Sequence, residues 1–322
     1  KIEFEITTRT LDNLIKPSDE ILELGAATGV YSFYYAKKGN SVVATDITPK
    51  HIDTINKKLV DDFNSSLQLS AQLVNATDLS KFESNSFNVV LCLGPMYHLT
   101  TEEGREKCIK EALRVLKDDG LLAIAYINKH YILNTVMLND KKYLHREFID
   151  KIFDTGVIKE GEKDCFWTDA YFTTPDEIQN LVEKFDVKVI DHLGTDGLNR
   201  LLNESINNLN DHELDNWLYY VEKSCRDKNI LGISNHGLIV CRKVIAIGIC
   251  LFNLLGYDDK SILLFLSSPP FWIMETHWFV RNFIHPADVS IFIKYSLTIL
   301  FWFIFGFILD KSTSKLFNQR NT

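Results

Sequence analysis

The sequence predicts an α/β fold: seven strands in a mostly parallel sheet, helices on both faces, an inserted lid and a hydrophobic C-terminal extension. Three observations carry this. Short apolar runs alternate with helical patterns from residue 20 to residue 243, the order that builds parallel sheets. A glycine-rich turn, Gly25-Ala26-Ala27-Thr28-Gly29, separates the first of these runs from a helical stretch. Beyond residue 243 the chain changes to long, nearly uncharged segments.

The elements follow in order. Glu20–Leu24 is the first strand, and a helix runs from about Gly29 to Lys38. Ser41–Thr45 is the second strand. Thr48-Pro49 then supplies an N-cap and a proline at the first helical position, with Ile52, Ile55 and Leu59 on one face. Leu69–Asn75 is the third strand. Asn88–Leu93, apolar throughout, suits a strand covered on both faces. Thr100 to Glu103 reads as a capping box, with Ile109, Ala112, Leu113 and Leu116 as the buried stripe behind it. Leu116-Lys117-Asp118-Asp119-Gly120 stops that helix, and Leu121–Ile127 is the fifth strand. A second capping box, Thr174-Pro175-Asp176-Glu177, opens a helix carrying Ile178, Leu181, Val182 and Phe185. Val187–Asp191 and Gly237–Cys241 complete the sheet.

Composition narrows the function. A chain of 322 residues can bury a sizeable core and hold one large domain plus an extension. The net charge of −8 argues against a nucleic-acid surface, which needs a basic face. Six cysteines (Cys92, Cys108, Cys165, Cys225, Cys241 and Cys250) form no C-x-x-C pair, so reduced, mostly buried thiols are expected, with no disulfide frame and no metal site. The first residues, Lys1 to Ile15, are polar and mixed. They read as no signal peptide, and the absent initiator Met suggests a trimmed start.

The first strand and its turn carry the chemistry. In Glu23-Leu24-Gly25-Ala26-Ala27-Thr28-Gly29, glycines let the backbone turn tightly and approach a ligand. Asp46 ends the second strand, where a carboxylate can accept two ribose hydroxyls. A dinucleotide fingerprint would read G-x-G-x-x-G, and here Ala27 stands where a middle glycine would lie. Glu23 suits a ligand bearing an ammonium and would repel a pyrophosphate at close range. This run resembles motif I of the class I S-adenosylmethionine (SAM) dependent methyltransferases, which share a Rossmann-like sheet. Asp78-Leu79, the strand and loop from Phe87 to His98, and the Leu116–Gly120 turn (Asp118 replacing the usual proline) extend the likeness. The nearest group is the UbiE-like methyltransferase-11 group, over about residues 18–243.

The resemblance implies SAM as cofactor and gives each residue a place. Gly25, Ala27 and Gly29 line it by backbone, with Glu23 behind them. Asp46 takes the ribose, Ile47 packs on adenine, Asp78 and Leu79 read the adenine edge, and Leu93 and Gly94 lie near the methionine portion. No metal is implied. Within Gly94-Pro95-Met96-Tyr97-His98, His98 could deprotonate a hydroxyl or amine and Tyr97 could orient it. The plainer reading of His98 is a helix cap or packing residue.

Residues 129–173 leave the sheet pattern and are dense in aromatics: His130, Tyr131, Tyr143, Phe148, Phe153, Phe166, Trp167, Tyr171 and Phe172. They suit a lid over a small-molecule pocket or a subdomain with its own core. Asp191 to Gly197 reads as a polar turn after the sixth strand, with His192 and Asp196 as surface polarity, and His236 reads as structural. The tail, 244–322, is expected to meet a membrane. Val289–Leu309 gives 21 residues with Lys294 as the one charge, long enough to span a bilayer at about 1.5 Å per residue. Trp272, Trp278 and Trp302 suit an interface. Basic Lys311, Lys315 and Arg320 favour a cytoplasmic end, hence a hairpin with a first span in 244–274.

The domains are thus 1–243, a methyltransferase domain, and 244–322, a membrane-associated tail. The function expected is methyl transfer from SAM to a small-molecule acceptor, lipophilic ones included, by a cytoplasmic domain held at a membrane. The alternatives are an NAD(P)-dependent oxidoreductase, weakened by the absent G-x-G-x-x-G, and a non-catalytic SAM-binding or membrane-tethered scaffold.

Overall fold

The structure is a computed structural model that describes residues 2–61, 67–199, 201–244, 290 and 293–302. The chain divides into two compact units, Lys1–Lys243 and Val244–Thr322.

The first unit runs α1 (Ile2–Asp12), β1 (Glu20–Leu24), α2 (Val30–Lys37), β2 (Ser41–Asp46), α3 (Pro49–Asp61), β3 (Leu69–Leu73), β4 (Phe87–Cys92), α4 (Glu102–Val115) and β5 (Leu116–Ile127). Then come α5 (Lys129–Asn139), α6 (Arg146–Thr155), β6 (Val157–Ile158), β7 (Ala170–Tyr171), α7 (Pro175–Val182), β8 (Val187–Gly194), α8 (Asn203–Asn207), α9 (Asp211–Ser224), α10 (Lys228–Leu231) and β9 (His236–Lys243). Seven strands form one sheet in the order β3-β2-β1-β4-β5-β9-β8. β1 to β5 pair in parallel, and β9 runs antiparallel between β5 and β8. The Rossmann-like, mostly parallel sheet is as the sequence predicts. The order reverses between β1 and β4, and such a switch point opens a crevice at the strands' carboxyl ends.

Alternation along the strands feeds two cores. Leu22, Leu24, Val90 and Cys92 pack with α4 and α7 through Ile109, Ala112, Ile178 and Val182. Ile21, Val89 and Leu91 pack on the other face with Tyr35 of α2, Leu218 and Val221 of α9, and Ile6 and Leu11 of α1. Side chains two apart share a face, so apolar runs such as Val89–Cys92 serve both layers.

Several boundaries differ from expectation for local reasons. The first residues, read as polar and mixed, form α1, because Ile2, Ile6 and Leu11 line one buried stripe. The cap of α4 is Thr101, whose hydroxyl accepts the Gly104 N–H. Gly104 has no side chain to answer, so a cap forms without the reciprocal arm of a box. The Thr174–Glu177 box is complete. β5 starts at Leu116 and includes the predicted stop, with Asp119 in the left-handed region at φ 58° and the register shifting opposite Phe87 and Val89. β8 extends to Gly194, so Asp191 and His192 are strand residues.

Within the insertion, Tyr143, Phe148, Phe166 and Phe172 pack together with Ile152 and Ile158. Four of its aromatics therefore fill a core of their own, while Trp167 and Phe153 stay exposed. Cys92, Cys108, Cys165, Cys225 and Cys241 are free thiols. Cys250 lies outside the described residues. Of the second unit, residues 293–302 are helical. No helix among the described residues is long and apolar enough to cross a membrane. Residues 289, 291, 292 and 303–309 of the predicted span 289–309, and all of the predicted first span beyond Val244, lie outside them.

Candidate active site

The turn after β1 is built from left-handed backbone, with φ 67° at Gly25, 48° at Ala27 and 81° at Gly29. A Cβ on Gly25 would stand 2.8 Å from Pro95 Cδ, and one on Gly94 would stand 2.8 Å from the Gly25 carbonyl oxygen. The loops after β1 and β4 thus touch through glycine, leaving main-chain groups lining the crevice.

Asp46 ties that turn to β2. Its Oδ2 accepts the Ala27 N–H at 2.9 Å and its Oδ1 accepts the Thr48 N–H at 2.8 Å. His51 Nδ1 lies 3.2 Å from Oδ1. The carboxylate is only 6% exposed. Each oxygen has a second lone pair, so it can brace the loop and still accept a ligand hydroxyl. Next to it, Ile47 is 65% exposed, an apolar side chain largely open to solvent.

Glu23 sits beneath the turn, 2% exposed, and accepts a hydrogen bond from the Ser32 hydroxyl. Burial pushes its carboxyl up to about 7, the Ser32 bonds pull it down and the Asp46 charge adds to the rise. Through Ser32 its Oε2 is tied to the first turn of α2.

The adenine-edge pair is corrected in part. Leu79 is fully buried and its N–H donates to Glu111 Oε2 at 2.8 Å, so neither its side chain nor its amide is available to a ligand. Asp78 is exposed, with its carboxyl held below the usual range by hydrogen bonds from Ser80. β3 ends at Leu73, earlier than predicted, and the Val74 N–H donates to the Asp46 carbonyl at 3.0 Å. That brings Asn75 and Ala76 to the end of the strand beside Asp46. The signal was the strand end itself.

At the end of β4, Leu93 is buried and Gly94 leads into a short helical turn, Pro95–Tyr97. Tyr97 is half-buried, its phenol pushed up to about 12 by burial and then by Glu3 and Cys92. Glu3, on α1, accepts from the Tyr31 hydroxyl at 2.7 Å; sequence reading missed this acid, though the Ile2, Ile6 and Leu11 stripe signals its helix. His98 is exposed, with Nδ1 3.1 Å from the Asp169 carbonyl oxygen. The Trp167 ring lies 5.2 Å from His98 and, nearly parallel, 6.4 Å from Tyr97. The insertion therefore meets the β4 loop through these three rings.

His192 and Asp196 are not surface polarity. His192 bonds the Tyr126 hydroxyl at 2.9 Å, and burial lowers its pKa to about 4. Asp196 is buried and bound to His236.

Residues 21–120 match the methyltransferase-domain family. The fold is similar to that of a SAM-dependent methyltransferase from Methanosarcina mazei, with a TM-score of 0.53 and 21% identity over 73% of this chain and 97% of that one. Among curated relatives, the chain is 23% identical over 190 residues to a glycine/sarcosine/dimethylglycine N-methyltransferase of Actinopolyspora halophila, covering 55% of this chain and 32% of that protein. It is 25% identical over 126 residues to a ubiquinone biosynthesis O-methyltransferase of Neisseria meningitidis, covering 39% of this chain and 47% of that protein. The matched stretches thus span a third to a half of those relatives. Domains of this class take their methyl group from SAM.

Proposed function

We propose that this domain transfers the methyl group of SAM to a small-molecule acceptor. The observation that supports this most is the cradle at the switch point: left-handed backbone at Gly25, Ala27 and Gly29, closed against Gly94 and ending beside Asp46. A Cβ at Gly25 or Gly94 would force the two loops apart. The free lone pairs of Asp46 would take ribose hydroxyls, the exposed face of Ile47 would cover adenine, and Asn75 and Asp78 stand at its edge. Leu93 and Gly94 would border the methionine portion.

When bound, SAM supplies a methyl carbon made electrophilic by its sulfonium. The chain has to supply position and dryness, and such ordering can be worth about 7–11 kcal/mol of barrier. Tyr97 and Trp167 form the proposed wall on the acceptor side. Tyr97 would orient the acceptor through its phenol, which stays protonated at neutral pH. His98 stands at the mouth, with Nδ1 on the Asp169 carbonyl, where Nε2 can exchange a proton with water. The relatives' names include a nitrogen and an oxygen methylation, so they leave the acceptor atom open.

The tail supports a second part of the proposal, that the domain works from the cytoplasmic side with residues 244–322 in a membrane. It rests on the run 289–309, whose one charge is Lys294, and the basic residues after it. Cleavage of the C-terminus by protease from the outer face of sealed vesicles would end the hairpin reading. For the catalytic part, calorimetry should show SAM binding and no NAD binding. Asp46→Ala should lower SAM affinity by about tenfold or more, the equivalent of ~1.4 kcal/mol. Unchanged affinity would remove the ribose assignment, and NAD binding would favour the oxidoreductase.

A further inference from the structure

The first turn of α1 stands at the rim of the cradle. Two hydrogen bonds fasten α1 to α2: Asp12 Oδ2 accepts from the Tyr34 hydroxyl at 2.6 Å, and Glu3 Oε1 accepts from the Tyr31 hydroxyl at 2.7 Å. Asp12 also pairs with Lys38, just past the end of α2, at 2.6 Å. Glu3 therefore lies towards the other end, where α2 begins directly after Gly29 at the carboxyl edge of the sheet. Ile2 belongs to the same core cluster as Leu93, the residue between β4 and Gly94. The charge of Glu3 helps to push up both the Tyr31 and the Tyr97 phenols. It is thus felt on two sides of the cradle, at the start of α2 and on the β4 loop.

The carboxylate is oriented and has acceptor capacity left over. Glu3 is half-buried. Its Oε1 takes both of its bonds, from Tyr31 and, at 3.4 Å, from the Thr7 hydroxyl. Oε2 accepts none from the described residues, and none of their lysines, arginines or histidines pairs with Glu3. Partial burial of an unpaired carboxylate is unfavourable, and a bound cation offsets that cost. The rings of Phe4 and Tyr31, with centroids 5.1 Å apart, stand beside it, and aromatic faces attract an ammonium through the ring quadrupole. An anionic group at the same place would meet repulsion from Glu3.

We propose that Glu3, held by Tyr31, is a subsite for an ammonium group at the rim of the cradle, carried by the acceptor or by the methionine portion of the cofactor. The cation serves as a handle for binding, apart from the atom that receives the methyl group. The role in catalysis rests on the methyl-transfer reading above.

The full chain and its Glu3→Gln variant, which keeps an oxygen for Tyr31 and loses the charge, test this. The first measurement is a titration with methylammonium chloride, followed by NMR of carbon-13-labelled tyrosines, with Tyr31 assigned by its loss in Tyr31→Phe. The Tyr31 signal should shift saturably in the wild type, about tenfold or more weakly in Glu3→Gln, and not at all with potassium chloride at equal ionic strength. No saturable shift, or equal binding by Glu3→Gln, overturns the subsite whatever the reaction. The second measurement separates the two sources of the cation. If the cofactor carries it, Glu3→Gln should bind SAM about tenfold or more weakly by calorimetry and 5′-methylthioadenosine, which lacks the amino-acid part, as the wild type does. If the acceptor carries it, SAM affinity should stay unchanged. Methylation from labelled SAM of the small-metabolite fraction retained on a cation exchanger should then show a higher apparent KM with little change in kcat. Neither change in Glu3→Gln overturns the proposal. A wild type that binds no SAM defeats the methyl-transfer reading, and the methylammonium titration still decides the subsite.

Discussion

At the scale of single residues, two buried groups set opposite pH limits on stability. Glu23 titrates near 7 in the fold against 4.5 unfolded, because burial disfavours its charge. Between these values the folded state holds a proton that the unfolded chain has released, so stability falls as pH rises through the window. Above it the full penalty remains, about 3 kcal/mol at 1.36 kcal/mol per unit. His192 is the reverse case, near 4 in the fold against 6.5 unfolded, again through burial. There the unfolded chain holds the extra proton, and stability falls as pH drops from about 6.5 towards 4. Thermal melts from pH 4 to 8 should therefore show an optimum near pH 5–6. Glu23→Gln, which can still accept from Ser32, should flatten the alkaline side, and His192→Gln the acid side. Parallel curves for Glu23→Gln and the wild type between pH 5 and 8 would mean that Glu23 carries no such penalty.

At the scale of elements, the contact between the β1 and β4 loops and the tie between insertion and sheet are the sensitive joints. Gly94→Ala drives a methyl to 2.8 Å from the Gly25 carbonyl oxygen. A backbone atom cannot swing aside, so the variant should lose about 1–3 kcal/mol in urea unfolding, the usual cost of overpacking, along with SAM affinity. Wild-type affinity in a folded variant would put the cofactor elsewhere. Lys129, buried at the start of α5, donates to the Phe153 carbonyl at 3.1 Å and to Glu177 at 2.8 Å, joining α6 to the capping box of α7. Removing one partner of a fully buried pair costs about 3–5 kcal/mol, but Glu177 is 44% exposed and can return to water. Lys129→Met should therefore cost about 1–2 kcal/mol in urea unfolding; no change would show that the tie is idle. These joints also mark how far the fold was legible in the sequence. The buried strands were, because apolar runs such as Val89–Cys92 admit few other structures, and so was the turn at Gly25–Gly29. The two-residue strands β6 and β7 were not, being too short for any period. Leu79 was misplaced because a strand end cannot be read to within two residues. The Asp196–His236 pair was illegible for another reason: forty residues separate its members, and the antiparallel pairing of β8 and β9 alone joins them.

At the scale of the whole molecule, the catalytic fold either stands alone or depends on residues 245–322. The sheet closes with β9, and its last residue is held from within the first unit: Lys243 Nζ donates to the Leu116 carbonyl at 2.7 Å and to Asn85 Oδ1 at 2.8 Å. The apolar material begins after that anchor. A chain ending at Val244 keeps every sheet pairing from β1 to β9 and both core clusters, so it should fold, bind SAM with the full chain's affinity by calorimetry, and melt at the same temperature. It should differ in one respect. Full-length protein should sediment with phosphatidylcholine vesicles and need detergent for extraction, because a run like 289–309 loses several kcal/mol if left in water. The shortened chain should remain in the supernatant. Loss of SAM binding on truncation would make residues 245–322 part of the catalytic fold, and full-length protein soluble without detergent would remove the membrane from its function.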